Sequence, residues 1–82
     1  MAYLLSAIFM RMEILVFKTD VRSRKRITSL APHLENMQGI IKWNVDLHDI
    51  DKVLRVECVR VSARAIEKNL QQAGYFCEEL HD

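Results

Sequence analysis

Apolar and polar positions alternate along this chain with two different periods. Glu13-Ile-Leu-Val-Phe17 is a short apolar run, as in a buried central strand. A polar, basic loop follows from Lys18 to Arg26. Ile27, Leu30, Leu34 and Met37 then recur at helical spacing, predicting a helix with its apolar stripe toward a sheet. Asp20 or Ser23 can cap that helix. Pro32 removes the amide that would bond Thr28, which predicts a kink or an early stop, and Gly39 ends the turn. Ile41, Trp43, Val45 and Leu47 alternate with Lys42, Asn44 and Asp46, the mark of a strand with one covered and one wet face. His48-Asp-Ile-Asp51 reads as a hairpin turn. In the strand after it Leu54, Val56 and Cys58 continue the covered face, and Arg55 and Glu57 face water. Ser62 is placed to cap a second helix with the buried stripe Ile66, Leu70 and Ala73. Gly74 suits the left-handed residue that stops it. Tyr75 to Leu80 forms the last strand.

The order strand-helix-strand-strand-helix-strand, with both helices on one face, predicts an α+β fold, the ferredoxin-like sandwich. Its four-stranded antiparallel sheet places the first and third strands in the centre and the fourth beside the first. With 82 residues the chain makes one domain and buries about 60–65% of its unfolded surface. The domain is expected over 12–82, after an N-terminal extension, 1–11. Met1 to Met10 are mostly apolar, but no basic residue precedes them, no small-residue cleavage site follows, and Arg11 interrupts the run. The segment reads as a lead-in to the first strand, or as residues upstream of a functional start at Met12. No stretch approaches a membrane span, and no membrane partner is expected.

Net charge is +1, so no global field favours nucleic acid or anionic lipid. The charge is uneven: Lys18 to Arg26 holds five basic residues and one acid, a local +4 against −3 elsewhere. Two cysteines, Cys58 and Cys77, without a dense framework fit a reducing compartment, and a cytoplasmic location is expected. They should sit on strands separated by the first, about 9–10 Å apart and too far for a disulfide. Cys58 reads as a small core residue and Cys77 as one open to exposure.

Gly39-Ile-Ile-Lys-Trp-Asn-Val-Asp-Leu47, then Ile66 to Leu70 and Gln72-Ala-Gly-Tyr75, resemble the second strand, second helix and following turn of the heavy-metal-associated domains of copper chaperones and metal-transporting ATPases. The resemblance spans Glu13 to Leu80. Metal-binding members carry a Met-x-Cys-x-x-Cys loop after the first strand. Here the segment reads Lys18-Thr-Asp20-Val-Arg-Ser23, with Lys18 at the Met position and Asp20 and Ser23 at the thiolate positions. Soft thiolates select Cu(I), and a carboxylate with a neutral hydroxyl does not replace them. The resemblance therefore implies a metal site that has been lost.

The fold's connectivity brings the hairpin and the turn at Tyr75 to the same end as this loop. Asp20, His48 and Asp49 are the metal candidates there, as oxygen and nitrogen ligands for Zn²⁺. Against them, Asp49 and Asp51 are ordinary hairpin residues whose charge offsets the basic loop. The cations Arg22, Arg24, Lys25 and Arg26 oppose the helix macrodipole, at about 0.3–1 kcal/mol each where exposed. Basic residues near this loop are what copper chaperones use to meet acidic domains. By that resemblance these four are the candidate contact residues for an acidic protein partner or a small anion. Open edges on the second and fourth strands offer a homodimer by edge pairing, with Trp43 and Val59 near the edges.

No catalytic residue or cofactor is expected. His33, His48 and His81 are scattered, no nucleophile has a base at motif spacing, and two glycines make no phosphate loop. No nucleic-acid partner is expected either, since the wet face carries mixed charge and no stacking ring. The chain reads as a small non-catalytic interaction module, with metal-ion binding or trafficking through non-thiolate ligands as the alternative.

Overall fold

The computed structural model describes residues 11–81. The expectations for residues 1–10, and for Asp82, lie outside the described residues. The elements are β1 (Met12–Thr19), α1 (Arg24–Glu35), β2 (Ile40–Asp46), β3 (Val53–Val59), α2 (Ala63–Gln72) and β4 (Cys77–Glu79). The strands form one antiparallel sheet in the order β2-β3-β1-β4, as the element order predicts. Leu30 and Leu34 of α1 and Ile66 and Leu70 of α2 share one core with Phe17, Leu54, Val56 and Cys58 from the sheet. Both helices thus cover a single sheet face, and burying those side chains drives the fold.

Each helix starts on a serine. Ser23 Oγ accepts from Arg26 N–H at 3.2 Å, and Ser62 Oγ accepts from Ala65 N–H at 3.1 Å, satisfying one orphan amide in each case. Of the kink or early stop expected at Pro32, the stop does not occur there. Helix α1 continues through Glu35, and Asn36 and Met37 donate to the Pro32 and Leu34 carbonyls. The helix continues past Pro32 because packing of Leu30 and Leu34 outweighs one missing bond. Gly39 takes φ +99°, where a Cβ would lie 2.5 Å from the Val59 carbonyl oxygen, so glycine is needed on both counts.

Four side chains depart from the sequence reading. Ile41 is 57% exposed, because a register shift between Ile40 and Lys42 gives its covered position to Ile40. Cys77 is buried at 1% exposure under α2. Val59 lies on β3, between β2 and β1, and away from any edge. Glu67, on a helix read only for its apolar stripe, is buried at 6% exposure. Its carboxylate accepts from Arg64 and, at 2.7 Å, from Glu79 N–H, so it ties α2 to β4.

Candidate functional site

Three connections meet at one end of the sheet. Thr19, the last residue of β1, donates its N–H to the Asp51 carbonyl at 3.0 Å and its hydroxyl to the Lys52 carbonyl at 2.6 Å. Thr19 Oγ1 also accepts from Val21 N–H at 3.2 Å. Val21 is fully buried and pins the β1–α1 loop into the core. These bonds bring the hairpin turn beside the loop, as the connectivity predicts.

Asp20 faces the turn before β4. Its Oδ1 accepts from Phe76 N–H at 3.0 Å and pairs with the Arg26 guanidinium at 3.5 Å. Arg26 also lies over the Tyr75 ring, 4.9 Å from its centroid. Tyr75 is buried, and its hydroxyl lies 2.8 Å from Ser29 Oγ. The result is a closed latch, Asp20–Arg26–Tyr75–Ser29, joining the loop, the first turns of α1 and the β4 turn. The Asp20–Arg26 pair is about 40% exposed on each side, so its share of stability is under about 1 kcal/mol. The bond to Phe76 N–H adds about as much. Tyr75 sits directly after the helix-stopping glycine, and Arg26 is one turn into α1. That juxtaposition was readable only once the end of the sheet was assembled.

The candidate metal residues are held apart. Asp49 Oδ1 accepts from Asp51 N–H at 2.7 Å, and Asp46 Oδ1 accepts from His48 N–H at 2.9 Å, so the carboxylates shape their own turn. Lys18 pairs with Asp51 at 3.6 Å. Among the described residues no group of three or more His, Cys, Asp or Glu is placed to hold a metal ion. Asp20, His48 and Asp49 share an end of the molecule without converging.

The basic candidates divide. Arg26 is engaged with Asp20 and Tyr75. Arg22, Arg24 and Lys25 are exposed, and among the described residues none of them forms an ion pair. α1 has no acid in its first turn to offset them.

The two thiols are free and buried, and they lie on strands separated by β1, as the strand order predicts. Burial under α2, then the charges of Glu67 and Asp20, pushes the Cys77 thiol up to about 12. Burial, then Glu13, raises Cys58 as well. Both are poor thiolates at neutral pH. The described residues contain no helix long and apolar enough to cross a membrane.

No protein-family model and no curated protein matches this sequence. Solved structures do match in shape. Oxidized MerP from Ralstonia metallidurans CH34 superposes with a TM-score of 0.74 at 12% identity, over 87% of this chain and 100% of that one. The CsoZ metallochaperone gives 0.68 at 19% identity, over 87% and 100%. The N-terminal domain of ZntA in its Zn(II) form gives 0.69 at 16%, over 80% and 89%. At these identities the likeness establishes the fold, the ferredoxin-like sandwich.

Proposed function

We propose that this domain is a non-catalytic interaction module of the heavy-metal-associated type, whose former metal loop serves as a docking surface for an acidic protein. The observation that carries the reading is the state of the two positions where metal-binding relatives keep thiolates. Asp20 is occupied by Phe76 N–H and Arg26, and Ser23 by the Arg26 amide. The loop's heteroatoms serve its own closure. Beside it Arg22, Arg24 and Lys25 stand exposed at a helix start that disfavours cations. Charges held against that field are available to a partner's carboxylates, and they steer encounter more than they add affinity.

The likeness to a metallochaperone and to a Zn(II)-loaded domain supports a second reading, metal-ion binding or trafficking through oxygen and nitrogen ligands. Asp20, His48 and Asp49 are its residues, and it requires the hairpin to rearrange toward Asp20.

One pair of experiments separates the readings. In pulldowns from cells of the source organism, reversal of Arg24 and Lys25 to Glu is expected to remove acidic partners retained by the wild type. An unchanged partner set sinks the docking reading. A Zn²⁺-dependent rise in melting temperature that disappears in His48→Ala would instead establish the second.

A further inference from the structure

The two edges of the sheet are finished differently. On β4 the backbone groups that turn outward are capped from α2. Gln71 Nε2 donates to the Cys77 carbonyl at 2.9 Å, and the Glu67 carboxylate accepts from Glu79 N–H at 2.7 Å. An incoming strand finds that edge closed. On β2 the edge is open. Val59 donates its N–H to the Gly39 carbonyl at 2.8 Å, so its backbone turns toward the β2 side. By alternation Glu57, Arg55 and Val53 turn the same way, toward their partners Lys42, Asn44 and Asp46. Trp43 and Val45 therefore turn their N–H and C=O groups away from the sheet. Among the described residues no side chain bonds to those groups.

The side chains along β2 say what fits this edge. A second β2 can be set antiparallel to the first, with a two-fold axis at Asn44. Lys42 then faces Asp46 of the second copy, and Asp46 faces its Lys42. Trp43 and Val45, which carry the outward backbone groups, face each other and exchange both backbone bonds. The charged pairs fall at the non-hydrogen-bonded positions, where facing side chains come closest. Trp43 against Val45 is an aromatic–β-branched pair, and Asn44 meets its own copy. An axis at Trp43 would keep the backbone bonds but set Lys42 on Asn44 and Asp46 on Ile40. The Asn44 register alone of these two matches charge with opposite charge and apolar with apolar. Both charges are available for it. Lys42 and Asp46 are exposed, and among the described residues neither forms an ion pair. The bulge between Ile40 and Lys42 ends the regular stretch just before the matched residues begin.

We infer that β2 is a homodimer edge, where two copies join through antiparallel β2 strands registered on Asn44. The product is one continuous sheet with all helices on one face. The matched pairs supply the self-complementarity that an isologous contact requires.

Sedimentation of the full chain from about 1 μM to about 1 mM reads the equilibrium. The expected result is a monomer–dimer equilibrium weakened by about tenfold or more in Lys42→Glu and in Asp46→Lys, because each sets like charges across both symmetric pairs. An equimolar mixture of those two variants has opposite charges at every facing pair and should dimerise like the wild type. Val45→Pro deletes an outward amide and no β2–β3 bond, so it should abolish the dimer while circular dichroism shows a folded chain. Should Asp46→Lys fail to fold, Lys42→Glu and Val45→Pro decide alone. A wild type that stays monomeric throughout overturns the inference. So does a dimer that Lys42→Glu or Val45→Pro leaves intact, or a mixture of two folded charge variants that stays monomeric.

Discussion

The two helix starts of this domain are built on one plan and used differently. Each follows a strand through a short loop, each buries a valine (Val21 and Val61), and each caps its helix with a serine hydroxyl bonded three residues on. The start of α2 carries a single cation, Arg64, between Ala63 and Ala65, and it is paired with Glu67. The start of α1 adds Asp20, latched to Phe76 N–H and Arg26, and gathers Arg22, Arg24 and Lys25. The caps, the buried valines and the Asp20 latch are bonded into the scaffold. The exposed cations Arg22, Arg24 and Lys25 are not, and the proposed docking role rests on them.

That contrast is sharpened by substitutions of decreasing effect. The largest acts on the scaffold side. Gly39→Ala places a Cβ 2.5 Å from the Val59 carbonyl oxygen and 2.7 Å from Val61 Cγ2, at φ +99°. It should destabilise by more than about 2 kcal/mol in urea melts. Gly74→Ala, with open space around it at φ +95°, should lose only about 1 kcal/mol.

Alkaline pH is the next lever. The Cys77 thiol is raised from its ordinary 9.0 to about 12. A folded-state value above the unfolded one gives stability that is complete below pH 9.0 and is lost as pH rises toward about 12. Cys77→Ala should flatten that decline while lowering stability at neutral pH, where the cavity it leaves dominates.

Ser23→Ala and Ser62→Ala should each cost about 1 kcal/mol, and about equally, because the caps do the same work. A Ser23 effect several times that of Ser62 would show that the first serine has a duty beyond capping. Smallest of all, Arg24→Glu with Lys25→Glu should leave stability unchanged or raise it by about 0.3–1 kcal/mol, since acids suit a helix N-terminus. A marked loss of stability would place these cations in the scaffold after all.

Most of the fold was legible because its signals were local. Alternation in β2 and β3, the helical spacing of Leu30, Leu34, Ile66 and Leu70, and the cap-and-glycine punctuation each act within a few residues. The strand order followed from connectivity. What escaped depended on register or on distant partners. Ile41 is exposed because of a bulge, and bulges leave no mark in a periodic pattern. Glu67 is buried because Arg64 and the Glu79 amide satisfy it. β1 read as a strand buried on both faces, since Ile14 and Val16 are as apolar as Leu15 and Phe17. Only the sheet's open side reveals that Ile14 is 57% exposed. At the candidate site the loop's residues were visible in the sequence. The latch through Tyr75 was not, because its members lie far apart along the chain.

The central claim of the proposed function is that Asp20 and Ser23 are spent on the loop's own structure and that the chain captures no soft ion. A Cu(I) competition titration of the full chain, wild type beside Asp20→Cys/Ser23→Cys, tests it most directly. The account predicts no stoichiometric copper on the wild type and one tightly held ion on the double variant, where a thiolate pair is supplied. One-to-one Cu(I) capture by the wild type would contradict it.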